Sequence, residues 1–222
     1  MHFIRTTGLA VALLPLALMT ANAGVIIGGT RVIFEGAKKE ATINITNPDN
    51  TPYLIQSWID MQDGVSGKTP FIITPPLYRL DGGQKNLERI VMTGSLPQEQ
   101  ERLNIKAIPS ASQQMNALQI AVKTRIKLIY RPEGLRASTP EEQATKLTWQ
   151  QSGNAIQVNN PTPYVINFNE ITLGGRKLDD VTYVLPGASA RFLLPEGGSG
   201  HSLTFKVIND YGSPGVLHQA SL

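Results

Sequence analysis

Apolar and polar residues alternate with period two through most of this chain, the signature of half-buried β-strands. The longest such run is Ala-Leu-Gln-Ile-Ala-Val-Lys-Thr-Arg-Ile-Lys-Leu-Ile-Tyr-Arg-Pro, from Ala117 to Pro132. Leu118, Ile120, Val122, Thr124, Ile126, Leu128 and Tyr130 fall on one face, and Gln119, Lys123, Arg125, Lys127 and Arg131 on the other. Pro132 ends the run because it has no N–H for a ladder. Such a strand far exceeds the usual five or six residues. It either threads a long core or extends past its own sheet to meet something else.

Shorter strands precede it. Arg31 to Phe34, Ala41 to Thr46, Tyr53 to Ile59, Phe71 to Thr74, Leu77 to Leu80, Asn86 to Met92 and Leu103 to Ile108 are separated by turn chemistry such as Asn47-Pro48-Asp49-Asn50 and Asp81-Gly82-Gly83. From Arg131 to Glu142 the alternation stops and the text is polar and Pro-punctuated, as in a linker. A second β series follows: Leu147 to Gln150, Ala155 to Asn159, Val165 to Thr172, Val181 to Leu185, Ala190 to Leu194, Leu203 to Asn209 and Val216 to Ala220. Helical periodicity is essentially absent. The pattern predicts an all-β protein of two sandwich domains, at residues 24–136 and 137–222.

Residues 1–23 stand apart. Arg5, the apolar run from Leu9 to Met19 and Ala21-Asn22-Ala23 have the form of a secretory signal cleaved after Ala23, too short in its apolar part to span a bilayer. No membrane insertion of the mature chain is expected. Without Arg5, 19 Lys and Arg face 17 Asp and Glu, a net charge of +2 against the +3 of the whole chain, which is too mild to suggest nucleic acid. There are no cysteines, so neither disulfides nor thiolate metal sites are available.

Catalytic motifs are also missing. Of three histidines His2 lies in the leader, and His201 and His218 belong to no spaced ligand set. Neither a Gly-x-Ser-x-Gly elbow nor a phosphate loop is present. Glu141-Glu142 and Asp179-Asp180 sit in polar connections and read as solvated pairs. No enzyme activity, cofactor or metal is expected.

Six stretches in series nevertheless resemble one family. Gly29-Thr30-Arg31-Val32-Ile33-Phe34, Pro52-Tyr53-Leu54 through Trp58, Thr74-Pro75-Pro76-Leu77-Tyr78-Arg79-Leu80, Thr124 through Pro132, Asn160-Pro161-Thr162-Pro163-Tyr164 and Ile208-Asn209-Asp210-Tyr211-Gly212 are similar to the periplasmic, PapD-like chaperones of the chaperone–usher pilus pathway. The resemblance implies two immunoglobulin-like sandwiches in a boomerang, located in the periplasm. It implies binding of pilus subunits by donor-strand complementation, that is, by β-strand addition, and delivery of them to an outer-membrane usher. Arg31 and Lys127 match the basic residues that grip the subunit's C-terminal carboxylate. Asn116, Leu118, Ile120 and Val122 match the inserted donor positions, and Glu101, Arg131 and Asp210 an interdomain ion network. The short loop from Pro109 to Asn116 resembles the subclass that assembles rod-like pili. When free, such a strand can also pair with a second copy.

Without the resemblance, Leu118 to Leu128 reads as sandwich core, and Arg31 and Lys127 as solvated charges. The alternative function is a secreted two-domain adhesion or carbohydrate-binding module, which calls for aromatic platforms. Only Trp58 and Trp149 are available, both in core-like strands. One departure from the family stands out: only Arg102-Leu103 separates Glu101 from Asn104, where the family has an aromatic-rich run. A shortened strand with lost core groups predicts a weakened or locally rebuilt first domain.

Overall fold

The computed structural model describes residues 24–61, 68–94, 100–110, 120–196 and 200–222, with residues 100–102 described by their backbone alone. The first nine strands are β1 (Ile26–Ile27), β2 (Arg31–Glu35), β3 (Glu40–Thr46), β4 (Tyr53–Asp60), β5 (Phe71–Thr74), β6 (Leu77–Leu80), β7 (Lys85–Met92), β8 (Gln100–Pro109) and β9 (Val122–Arg131). They form one sheet in the order β1-β3-β7-β5 and a second in the order β2-β9-β8-β4-β6. Alternate residues from both sheets meet between them, among them Phe34, Ile45, Ile55, Ile90, Leu103 and Leu128, all fully buried. Phe34, Phe71 and Tyr130 form an aromatic trio with centroids 5.3 to 6.4 Å apart.

The second half forms a separate sandwich. Its strands are β10 (Thr148–Ser152), β11 (Ala155–Asn159), β12 (Ile166–Leu173), β13 (Arg176–Lys177), β14 (Tyr183–Val184), β15 (Ser189–Leu193), β16 (Ser202–Ile208) and β17 (Pro214–Ser221). The sheet β10-β11-β15 packs against β13-β12-β16-β17, with β14 also pairing with β12. Trp149, Phe168 and Phe205 lie at its centre.

Both sandwiches turn a corner with the same device. The buried Asn47 side chain donates to the carbonyls of Thr51, Leu80 and Asp81, and its Oδ1 accepts from the Asp49 N–H. The buried Asn160 donates to the carbonyls of Tyr164 and Leu185, and its Oδ1 accepts from the Thr162 N–H and hydroxyl. Each Asn precedes a proline, so a single amide satisfies several backbone groups where no ladder is available.

The polar stretch before the second sandwich is more ordered than its sequence predicts. It holds two 3-10 turns (Glu133–Leu135 and Ala144–Lys146) around α1 (Pro140–Gln143). Thr139 and Glu142 form a capping box at the start of α1, with Pro140 in the first turn. The two glutamates are therefore engaged: Glu142 caps α1, and Glu141 Oε1 accepts the Val216 N–H at 2.7 Å.

Three further expectations change. The predicted strand from Val181 to Leu185 shortens to the two residues of β14. Trp58 is not in the core: register sends Ile55, Ser57 and Ile59 inward, while Trp58 stands on the outer face beneath Lys123 Nζ, 4.7 Å from its ring. The local rebuilding expected around Arg102-Leu103 is absent from the described residues. β8 pairs without a bulge with β4 and β9, and Leu103, Ile105 and Ala107 stay inward at period two.

A carboxyl group lies inside the first sandwich. Glu88 on β7 is fully buried, and its Oε1 accepts from Ser57 Oγ at 2.6 Å and Tyr78 Oη at 3.0 Å, while Oε2 is buried without a hydrogen-bond partner. Desolvation raises its pKa above the ordinary carboxylate value, and the two hydroxyl donors only partly oppose this.

Candidate functional site

The site begins where the chain changes sheets. β1 pairs with β3 in one sheet, and β2 pairs with β9 in the other. Gly28, Gly29 and Thr30 make the crossing. Gly28 donates to the Asn44 carbonyl at 2.8 Å, and a Cβ there would sit 3.1 to 3.2 Å from Asn44, so a larger residue would push the crossing off β3. The consequence is a gap beside β9. β8 pairs with β9 from Val122 to Ile129, but on the opposite side the β2 ladder starts only at Arg31 opposite Lys127. Among the described residues, Val122 to Ile126 therefore present the free edge of an inner strand.

A trough of about 360 Å³ follows that edge, lined by Val25, Ile27, Gly29, Thr30, Thr124, Arg125 and Ile126. The apolar face of the long run divides here. Ile126, Leu128 and Tyr130 are buried in the sandwich, whereas Ile120 is 66% and Val122 49% exposed. The described part of the strand begins at Val122; Asn116 and Leu118, like the loop from residue 111, lie outside the described residues.

Just beyond the trough, where the β2 ladder begins, Arg31 and Lys127 stand in register across the parallel β2–β9 pair. Arg31 is partly buried and its Nε has no hydrogen-bond partner among the described residues. Desolvation lowers its pKa, opposed by the charge of Asp210. A cation so placed favours an incoming anion. Lys127 reaches the second sandwich: its Nζ donates to Oδ1 of the buried Asn167 on β12 and lies 4.8 Å from the Tyr183 ring.

The two sandwiches are tied by Arg131 and Asp210. The buried Arg131 guanidinium grips both carboxylate oxygens, at 2.5 and 2.8 Å, and lies 5.8 Å from the Tyr164 ring. Tyr164 in turn donates to the Leu135 carbonyl at 2.8 Å. The turn carrying Asp210 presses on the crossing segment: Gly212, at φ +86°, packs directly against the Thr30 hydroxyl. Glu101, on β8, stands in register with Leu128 of β9, and its side chain is outside the described residues.

Geometry thus brings together Arg31 with Lys127, and Arg131 with Asp210. Asn167 and Tyr183, the partners of Lys127, were not foreseen from the sequence, which carries no signal for them. Among the described residues no group of three or more His, Cys, Asp or Glu could hold a metal, and no helix is long and apolar enough to cross a membrane.

Two immunoglobulin-like sandwiches with an exposed inner-strand edge ending at a basic pair define a two-domain chaperone architecture. Residues 24–136 match the family described as "Pili and flagellar-assembly chaperone, PapD N-terminal domain", and residues 142–217 match "Pili assembly chaperone PapD, C-terminal domain". The chain belongs to this family of pilus-assembly chaperones. It is 43% identical over 199 residues to the probable fimbrial chaperone LpfB of Escherichia coli O157:H7, covering 86% of this chain and 85% of that protein. It is 41% identical over 217 residues to the chaperone protein FimC of Escherichia coli strain K12, covering 92% and 88%. A chain from the Salmonella enterica SafA pilin–SafB chaperone complex superposes with a TM-score of 0.82 at 34% identity, covering 90% of this chain and 96% of that one.

Proposed function

We propose that this protein is a periplasmic, non-enzymatic chaperone that completes the fold of pilus subunits with its β9 strand and passes them to an outer-membrane usher. In this reading residues 1–23 are a signal peptide cleaved after Ala23, residues 24–136 form the donor domain and residues 137–222 the second domain. The observation that carries the reading is the free edge of β9, aligned with β2 and stopping at Arg31 and Lys127.

Electrostatics selects the direction of the guest. A subunit strand lying beside Val122 to Ile126 occupies the same lane as β2. If it runs parallel to β9, its C-terminus meets Arg31 and Lys127; if antiparallel, its interior or N-terminus does. Two cations favour the carboxylate of a chain end, so the parallel arrangement wins. Ile120 and Val122, continued by Leu118 and Asn116, then fill the subunit's groove. Each buried aliphatic side chain contributes roughly 1.5–3 kcal/mol. Charge-assisted bonds to the carboxylate, also about 1.5–3 kcal/mol each, add direction and register. The Arg131–Asp210 pair, with Glu101 as the third expected member, holds the two domains around this site.

The test is periplasmic co-purification of the tagged chain with a pilus subunit from the same source, beside an Arg31→Ala/Lys127→Ala double variant. A stoichiometric complex that disappears in the variant is the expected result. A folded wild-type chain that captures no subunit would sink the proposal.

A further inference from the structure

The turn at Asn209 to Ser213 displays an aromatic ring that the fold does not use. Tyr211 is 92% exposed, the most exposed of the large hydrophobic side chains described. Nothing in the backbone demands a tyrosine there, since its φ is not in the left-handed region; Gly212, at +86°, supplies the special conformation. Yet the turn is held on every side. Asn209 Oδ1 accepts from the Tyr211 and Ser213 N–H groups, the Asn209 carbonyl accepts from the Gly212 N–H, and the Asn209 N–H donates to the Ser213 carbonyl. Asp210 is fixed by Arg131, and Gly212 rests on Thr30.

Tyr211 therefore sits between two residues of the second sandwich that both touch the first. Its neighbours bring the turn to Arg31: Gly212 rests on Thr30, the residue before Arg31, and the Asp210 charge acts on the Arg31 guanidinium. A rigidly presented, solvent-facing tyrosine loses little conformational freedom on binding and is a common anchor of interfaces.

We propose that Tyr211 is a docking residue for the pilus subunit, a ring against which the subunit packs near its C-terminal carboxylate. The inference rests on the proposed function, because it takes the subunit strand to end at Arg31 and Lys127. It makes the second sandwich a direct contributor to subunit affinity, in addition to its role in bracing Lys127 through Asn167.

The test uses the full mature chain and a fluorescently labelled peptide equal to the C-terminal strand of a subunit from the same source, read by anisotropy. A control peptide is amidated at its C-terminus. Tyr211→Ala should weaken binding of the free-acid peptide about tenfold, with an unchanged melting temperature, and Tyr211→Phe should restore most of it. Amidation should weaken binding to wild type and to both variants, which reports on the Arg31–Lys127 reading separately. Wild-type affinity in Tyr211→Ala, together with sensitivity to amidation, would overturn the docking role alone. Absence of binding by wild type would overturn the proposed function itself. Unchanged peptide binding with lost capture of preloaded complexes by the usher would make Tyr211 an usher contact and also overturn the inference.

Discussion

Replacing Glu88 by glutamine tests how a charge behaves inside the first sandwich. The carboxyl group is fully buried, with two hydroxyl donors on Oε1 and none on Oε2. Its pKa is raised in the native state, so the folded protein binds the proton more tightly than the unfolded chain does. The stability associated with this group is therefore fully present below its unfolded pKa, near 4.5, and is lost as pH rises toward the native value. Tyr78 remains a donor throughout, because burial and the neighbouring carboxylate push its own pKa up. Glutamine keeps the acceptor for Ser57 and Tyr78 but cannot ionise. The two proteins should be nearly equal in stability at pH 4.5 and diverge above it, with Glu88→Gln more stable at pH 8. Leaving a buried polar atom unpaired costs about 1–3 kcal/mol, and more when it is charged, so a gain of about 1–2 kcal/mol is expected at pH 8. Each sandwich contains one tryptophan, Trp58 in the first and Trp149 in the second. Urea unfolding followed by fluorescence in a Trp149→Phe background thus reports on the first sandwich alone. A difference between Glu and Gln that stays constant from pH 5 to 8 would refute the assignment of a buried, proton-coupled carboxyl.

Asp210→Asn should loosen the interdomain tie, because it strips the charge from a pair whose arginine is buried. A loss of about 2–4 kcal/mol and a wider spread of interdomain distances in small-angle scattering are expected. Asn160→Ala removes an amide that satisfies the buried Tyr164 carbonyl and the half-buried Leu185 carbonyl, and should destabilise the second sandwich by about 2–4 kcal/mol in urea while leaving the Trp58 transition unmoved. Val122→Asp places a charge on the exposed half of β9 and should lower the melting temperature by only a few degrees, since about half of this side chain faces solvent in the free protein. The same variant should abolish subunit co-purification, as the charge would have to enter an apolar groove.

The strands were largely legible because most of them bury one face in their sandwich, which writes period two into the sequence. β1 was missed for the opposite reason: two residues beside Gly28-Gly29 are too short to show any period. The helix at Pro140 carries its capping signature in Thr139 and Glu142, but four residues have no amphipathic stripe. Trp58 was misread because hydrophobicity argued for the core, while the parity of β4 set by Ile55 and Ile59 argued against it. The site was less accessible. Arg31 and Lys127 become neighbours only through parallel pairing of β2 with β9, which neither local pattern encodes, and the family resemblance drew attention to them. Asn167 and Tyr183 owe their importance to the second sandwich's position against β9, and no local signal announces that.

β2 has one further consequence. Under the proposed mode of binding it shares its lane with the guest, so the host's own chain blocks further travel along β9. In that mode a visitor slides no farther than Arg31, whatever its sequence, and is measured from its last residue. A protein that recognises where a chain stops needs little detailed matching along its length. One host can then seat a set of unrelated sequences in a common frame, provided each of them finishes in the same way.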